Sequence, residues 1–415
     1  MRILLCCESY FPCGGGVARV NQEIAERLVQ RGHEVTVATA KMNERHSPEL
    51  NGVNIEQFAV SGNRVRGMQG ETGRYQAFVS SGIFDAILIY AAQQWTFDAL
   101  WPALPGIKAR KIHVPCGYSS FYDSSYKEYF RQMPDILRRF DHLVFNASNY
   151  RDINFTRRCG LTNFSVIANG ASESEFERCP IPDFRDKWGI AEDEFIFLTV
   201  GSPPLLKGHR EVALAYAQLR HPSSSLLILD GKYDPVVNPL LQTVPIKMKR
   251  LLIRMAKTIL KRPVFSARGF GKAMENLRSQ TGKRFLITDL PRAEIISAFF
   301  SSNLFVFASH VEYSPLVLFE SAAAGLPFLS VPVGNAEEIV RWTKGGEICP
   351  ASKNNTGYTL VSPSVLAQEM TRLATDPELL SQLGRHGRDS LKKNYSWERI
   401  VTQYEKIIAG KVLVQ

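Results

Sequence analysis

Residues 309–327 read SHVEYSPLVLFESAAAGLP, and they follow the apolar run Leu304-Phe305-Val306-Phe307-Ala308. A short run this apolar and aromatic predicts a strand buried on both faces, as in a parallel sheet. Ser314 stands where an N-cap is expected, with Pro315 at the first helical position, where its missing N–H costs nothing. From Pro315 the helix is predicted to continue through Leu316 to Ala324 and to stop at Gly325, a C′ glycine, with Pro327 just beyond. A strand that ends in a loop and opens a helix presents unpaired backbone N–H groups, which suits a phosphate. Two carboxylates flank the turn: Glu312 in the loop and Glu320 about two turns into the helix. By themselves two glutamates eight apart carry no weight, since roughly one such pair is expected by chance in a chain this long.

The chain of 415 residues is too long for one ordinary core and fits two domains of about 200 residues each. Its apolar content of 45% and charged content of 22% are those of a globular protein. Met1–Cys7 is apolar but is closed by Glu8, so no signal peptide is expected, and no run approaches the roughly 18 apolar residues of a membrane span. Seven cysteines, odd in number and without a C-x-x-C pair, predict free thiols in a reducing, cytoplasmic compartment and no zinc. The net charge of +10 is concentrated: residues 246–284 hold twelve Lys and Arg against Glu275 alone. Leu251, Leu252, Met255, Ile259 and Leu260 are interleaved there at helical spacing. An amphipathic cationic helix of this kind fits an anionic membrane surface. Nucleic acid is not expected as a partner, because stacking aromatics are sparse (Phe265 and Phe270).

Arg2–Cys7 reads as a first buried strand, Gly14-Gly15-Gly16 as a turn, and Val17–Arg31 as a helix closed by Gly32, with a second strand at Val35–Ala38. A glycine loop feeding a helix N-terminus lets a phosphate or sugar approach the backbone. A dinucleotide-binding enzyme is the competing reading. Arg19 at the third glycine position of G-x-G-x-x-G, and the absence of an acid after Ala38-Thr39-Ala40, count against it. Further strands are predicted at 83–90, 110–115, 195–200, 225–230 and 285–287, and a strand and helix within 140–155. A polar, Pro-containing stretch from Ser172 to Asp183 is the best linker.

Placed on this frame, Glu312 and Glu320 resemble the E-x7-E signature of retaining glycosyltransferases of family 4, which have the GT-B fold. Gly14–Gly16 with R-G-H-E-V-T-V, Val166–Gly170, Gly201 with Lys207-Gly208, and V-G-N-A-E-E-I-V at 333–340 resemble other motifs of that family, in order. The resemblance implies an α/β protein of two Rossmann-like domains facing a cleft. Residues 1–184 would form the acceptor-side domain and 185–394 the donor domain, with a basic insertion at about 233–283. Residues 395–415 would cross back as a helix onto the first domain.

The resemblance further implies transfer of a sugar from a nucleotide-sugar donor, with retention and without a metal. The acceptor would be a glycan of the lipid-linked kind used in cell-surface polysaccharide or glycolipid assembly at the cytoplasmic face of the membrane. A soluble acceptor, or a weakly active sugar-nucleotide-binding partner subunit, is the alternative. No cofactor is implied, the nucleotide-sugar being a substrate. Glu312, Lys207 and Glu320 are the expected catalytic residues: Glu312 at the donor sugar, Lys207 at the diphosphate and Glu320 at the ribose. Gly15, Gly16, Ser202, Ser314, Pro315 and Leu316 are expected at the donor with Lys207 and Glu320, and Cys116, Gly117 and Asn169 on the acceptor side. Two positions depart from the family: Ser202 replaces an arginine, and Cys116 in Pro115-Cys116-Gly117-Tyr118 replaces a histidine. A thiol cannot do what an imidazole does near pH 7, so Cys116 is expected to be a small buried thiol, and His113 a core residue.

Overall fold

The computed structural model describes residues 1–202, 206–219, 223–229 and 267–411. Most of the basic insertion, including the expected cationic helix at Leu251–Leu260, lies outside the described residues. The chain divides into two compact units: Met1–Ser174 with Tyr313–Phe319 and Ser390–Gln415, and Glu175–Glu312 with Glu320–Asp389.

In the first unit the strands are β1 (Arg2–Cys6), β2 (Glu34–Ala40), β3 (Glu49–Leu50), β4 (Val53–Phe58), a small hairpin of β5 (Val60–Asn63) and β6 (Gly67–Gly70), β7 (Ala86–Tyr90), β8 (Arg110–Val114), β9 (His142–Phe145) and β10 (Phe164–Val166). The sheet order is β10-β9-β8-β7-β1-β2-β4-β3, parallel except for the edge pair of β3 with β4. Its central strands are continuous apolar runs, because a parallel sheet is covered on both faces. The helix Gly16–Gln30 buries Val20, Ile24, Ala25 and Leu28 at the spacing read from the sequence, and Gly32 (φ +84°) turns the chain after it. The chain leaves β1 toward β2 on one side and returns to β7 on the other, so the order reverses beside β1. Ligands of open α/β sheets bind at such a reversal, outside the carboxyl ends of the strands.

The second unit repeats the plan with β11 (Phe195–Val200), β12 (Ser224–Leu229), β13 (Arg284–Thr288), β14 (Leu304–Phe307), β15 (Phe328–Ser330) and β16 (Gly346–Ile348). All pairs are parallel and the order is β13-β12-β11-β14-β15-β16, so the reversal lies between β11 and β14. The helix after β14 runs Leu316–Ala324 and ends at Gly325 (φ +74°). Glu320 therefore stands just over one turn into it, not two.

The last helix, Trp397–Ile408, belongs to the first unit. It buries Trp397, Ile400, Val401, Tyr404, Ile407 and Ile408 in the same core as Ile24, Leu28 and Val144. Each such side chain contributes about 1.5–3 kcal/mol on burial. Ser396 caps its start, and Arg31 Nη1 reaches Glu405 at 2.7 Å on its polar face.

The first unit ends at Ser174 rather than at 184, because the expected linker is already docked in the second. Phe176 packs on Phe299, the Ile181 N–H donates to Ser297 Oγ at 3.0 Å, and Phe184 is fully buried. Its final segment likewise starts at Ser390, ahead of 395, and the short Tyr313–Phe319 segment belongs to it as well.

Candidate active site

Two loops leave the reversal point of the second unit, one after β11 and one after β14, and they carry Lys207 and Glu312. Lys207 Nζ lies 2.6 Å from Glu312 Oε1, and the Ser309 hydroxyl donates to the same oxygen at 2.9 Å. Glycines make this approach possible. A Cβ on Gly201 (φ +146°) would sit 2.9 Å from Lys207 Cγ, so the lysine stem runs across a position that only glycine leaves open. A Cβ on Gly208 (φ +71°), at the start of the helix His209–Gln218, would sit 2.0 Å from the Ala308 carbonyl oxygen. Ser202 is partly exposed beside Gly201.

His209, not singled out by the sequence, pins this loop. Its Nε2 bonds the Gly201 carbonyl at 2.7 Å and its Nδ1 bonds Thr199 Oγ1 at 3.2 Å. Burial pushes it down to about 4, so it is neutral near pH 7 and acts as a fixed hydrogen-bonding brace.

Glu320 is buried and pairs with Arg292. Arg292 Nη2 lies 2.6 Å from Glu320 Oε1 and 2.9 Å from Glu175 Oε2. Burial works against the guanidinium charge, and the two carboxylates more than offset it. Arg292 opens the helix Arg292–Ser301. A cation in a first helical turn opposes the helix dipole, and the two carboxylates offset this, but nothing in the sequence marks which carboxylates they are.

In the first unit, Gly15 (φ +113°) precedes the helix that begins at Gly16, and a Cβ on Gly16 would meet Leu316 Cδ1 at 3.5 Å. Arg45 braces the segment before the glycines, donating to the carbonyls of Phe11 at 2.7 Å and Tyr10 at 2.8 Å. Asn169 Nδ2 donates to the Ser314 carbonyl at 3.1 Å. Pro315 is buried before the helix. Ser314 does not cap it: its hydroxyl is buried with no hydrogen-bond partner among the described residues. The helix begins one position later than expected, so the hydroxyl is not set for the N–H groups it was expected to satisfy.

Cys116, Gly117 and Tyr118 all adopt positive φ (60°, 89° and 52°). For residues other than glycine this costs about 1–3 kcal/mol each, and such strain persists where surrounding contacts enforce it. Burial pushes the Cys116 thiol up to about 12, so it stays protonated and is no nucleophile near pH 7. His113 is a core residue, stacked on Phe97 at 4.1 Å and donating from Nδ1 to the Ile89 carbonyl at 2.9 Å.

Carboxyl groups that the sequence reading did not single out lie at the same end of the sheet. Asp98 accepts from the Tyr129 hydroxyl at 2.6 Å and from the Arg64 N–H at 3.0 Å, and burial raises it to about 6. Glu8, two residues past the end of β1, is raised to about 7 by burial and by the nearby Asp98. Asp152 is also raised to about 6 by burial, against hydrogen bonds that lower it. No group of three or more His, Cys, Asp or Glu among the described residues could hold a metal ion, and no helix among them is long and apolar enough to cross a membrane.

Residues 272–390 match the family described as glycosyl transferases group 1, and residues 14–175 match glycosyltransferase family 4. The chain is 22% identical to an N-acetyl-alpha-D-glucosaminyl L-malate synthase of Bacillus anthracis over 96% of its length and 94% of the relative's. It is also 22% identical to an alpha-monoglucosyldiacylglycerol synthase of Acholeplasma laidlawii, covering 94% and 93%. The crystal structure of Anabaena Alr3699/HepE in complex with UDP and glucose superposes with a TM-score of 0.71 at 16% identity, covering 99% of this chain and 100% of that one. Two parallel α/β units, a charged pair at the sheet reversal of the second and both family matches agree: the chain is a GT-B glycosyltransferase belonging to family 4, group 1.

Proposed function

We propose that this glycosyltransferase moves a sugar from a nucleoside-diphosphate sugar to a hydroxyl of a lipid-linked glycan, with retention and without a required metal, at the cytoplasmic face of a membrane. The observation that carries the donor half is the Lys207–Glu312 pair at the β11/β14 reversal. In this reading Lys207 exchanges Glu312 for the donor diphosphate, and the freed carboxylate takes hydroxyls of the donor sugar. Glu320, held by Arg292, accepts from the ribose diol. The backbone of Ser314, Pro315 and Leu316, with the unpaired Ser314 hydroxyl, takes phosphate oxygens as charge develops on them. Ser202 contributes a hydroxyl where the family has a cation. The acceptor belongs to the first unit, at Cys116, Gly117 and Asn169, its hydroxyl entering past Gly15 and Gly16, which also face the donor.

UDP bound to a structural neighbour supports a nucleotide-linked donor. The lipid acceptor rests on the basic segment 246–284 and finds support in a relative named for a glucosyldiacylglycerol. A soluble acceptor is the second reading, favoured by a relative named for a malate. A weakly active nucleotide-sugar-binding subunit is the third, favoured by Ser202 and Cys116 standing for arginine and histidine.

The test is a panel of UDP-, GDP- and ADP-sugars, read by thermal shift and by donor turnover, on the wild type, Lys207→Ala and Glu320→Ala. One donor that stabilises and is consumed by the wild type, and does neither with the variants, supports the enzyme. Stabilisation without turnover moves the binding-subunit reading ahead. No response to any donor defeats the assignment of these residues to donor binding.

A further inference from the structure

Tyr313, between Glu312 and Ser314 in sequence, reaches deep into the first unit. Its hydroxyl accepts from the Asn146 N–H at 2.9 Å and donates to the carboxylate of Asp152. The same carboxylate accepts from the Gly117 N–H at 2.8 Å and the Ile153 N–H at 2.9 Å. Asp152 is fully buried at the start of the helix Arg151–Arg158, and Tyr313 packs against Tyr150 with ring centres 5.2 Å apart. Gly117 is wedged between the two rings. A Cβ there would lie 2.8 Å from Tyr313 and 3.1 Å from Tyr150. One carboxylate thus joins the strained Cys116–Tyr118 loop to the turn that opens the Leu316–Ala324 helix.

We propose that Asp152 and Tyr313 are positioning residues for sugar transfer, a buried carboxylate–phenol pair that holds the Cys116–Tyr118 loop and the Ser314–Leu316 turn in one fixed arrangement. The inference rests on the reading that the loop receives the acceptor and the turn receives donor phosphate. A carboxylate suits the role because it is acceptor-only and serves three donors at once. An asparagine has one oxygen, and its amide would turn a donor toward another donor. The contacts are buried in a low-dielectric interior, where the loss of one partner leaves another unsatisfied.

The groups whose charge Asp152 feels or perturbs are Tyr313, Cys116, Tyr118 and Tyr90, each pushed up by its own burial and each neutral near pH 7. No cation is among them. As pH falls through about 6, Asp152 takes up a proton and one of its three donors loses its acceptor. The Tyr313 bond favours the ionised form, so removing it moves this titration to higher pH.

The experiment uses the full chain as wild type, Tyr313→Phe and Asp152→Asn, with UDP-glucose, UDP-N-acetylglucosamine, GDP-mannose and ADP-glucose as donors. Turnover against pH, melting temperature and amide hydrogen exchange are read together. For Tyr313→Phe the expected result is a kcat lower by about ten-fold at near-wild-type donor KM and melting temperature. Its acid limb moves to higher pH, and exchange quickens in the 113–120 peptide, far from the substitution in sequence. Asp152→Asn loses the limb and quickens exchange at 313–318. Wild-type turnover in both variants overturns the proposal, as does a loss that only follows melting temperature with exchange unchanged in the distant peptide. A wild type that consumes none of the four donors removes the functional reading and the positioning role together. An active wild type with unaltered variants removes the positioning role alone.

Discussion

Lys207 Nζ and Glu312 Oε1 stand 2.6 Å apart, an ion pair brought together from loops that follow two neighbouring parallel strands. Each charge is the other's counter-ion until a substrate replaces one of them. Lys207→Ala removes the cation assigned to the departing diphosphate and leaves Glu312 with Ser309. A drop in kcat of about 10²-fold is expected, the size associated with losing one preorganised donor to developing negative charge. Steady-state kinetics with the donor chosen by the panel measures it. A variant that raised only KM would place Lys207 in ground-state binding instead.

Arg292 is shared by Glu320 and Glu175, so its removal acts on the residue assigned to the ribose. Arg292→Ala is expected to weaken nucleoside diphosphate binding about ten-fold, the order of one charge-assisted hydrogen bond. Glu175→Gln is expected to change it far less, because Glu320 keeps its guanidinium. Arg292→Lys recovers only part, since an ammonium cannot present the same fork to two carboxylates. Calorimetric titration with UDP, GDP and ADP separates the three variants.

The strands and the strand–loop–helix that carries Glu312 and Glu320 could be read in advance because they rest on local pattern: apolar runs of strand length, and glycines at strand and helix ends. Tertiary partners could not. Arg292 lies 28 residues from Glu320, and Asp152 meets a tyrosine more than a hundred residues away. Nothing in the periodicity of either segment marks the pair. The linker at Ser172–Asp183 was read from composition, which does not tell a stretch that links from one that docks. Phe176 and Phe184 anchor it in the second unit. Ser314 was expected to cap a helix by residue type alone, whereas capping depends on where the first turn closes.

Gly208 sits at φ +71° with the Ala308 carbonyl oxygen 2.0 Å from where a Cβ would be. Gly208→Ala therefore combines left-handed strain with a backbone clash and is expected to cost more than about 2 kcal/mol. Gly14 has open space and an ordinary φ, and Gly14→Ala is expected to be within about 0.5 kcal/mol of wild type or slightly stabilising. Urea unfolding of the two variants checks the contrast.

Glu8 makes stability depend on pH in a definite direction. Its folded value, raised to about 7 from an ordinary 4.5 by burial and Asp98, means that the folded chain holds the proton more tightly than the unfolded one. This contribution to stability is full below about pH 4.5 and is lost as pH rises through about 7. Glu8→Gln cannot ionise. Relative to wild type its melting temperature is expected to rise between pH 5 and pH 8, while Asp98 continues to titrate in both proteins. A difference that is flat with pH would mean that Glu8 is not desolvated as the structure has it.

The membrane half of the proposed function rests on charge, and charge can be changed without deleting chain. Removing 240–283 outright would also take away the helix Ala267–Thr281 and Lys283, whose Nζ bonds the Tyr216 carbonyl at 2.8 Å. Neutralising Lys247, Lys249, Arg250, Arg254, Lys257, Lys261 and Arg262 to Gln leaves those contacts intact. Each basic residue near an anionic surface contributes about 1 kcal/mol, so seven changes are expected to abolish flotation with vesicles of anionic phospholipid. Binding of the wild type should also weaken as salt rises, because the Debye length shortens from about 10 Å at 0.1 M to about 3 Å at 1 M. Donor turnover with a soluble acceptor should survive the seven substitutions. If flotation persists unchanged, the basic segment is not the membrane contact, and the soluble-acceptor reading takes its place.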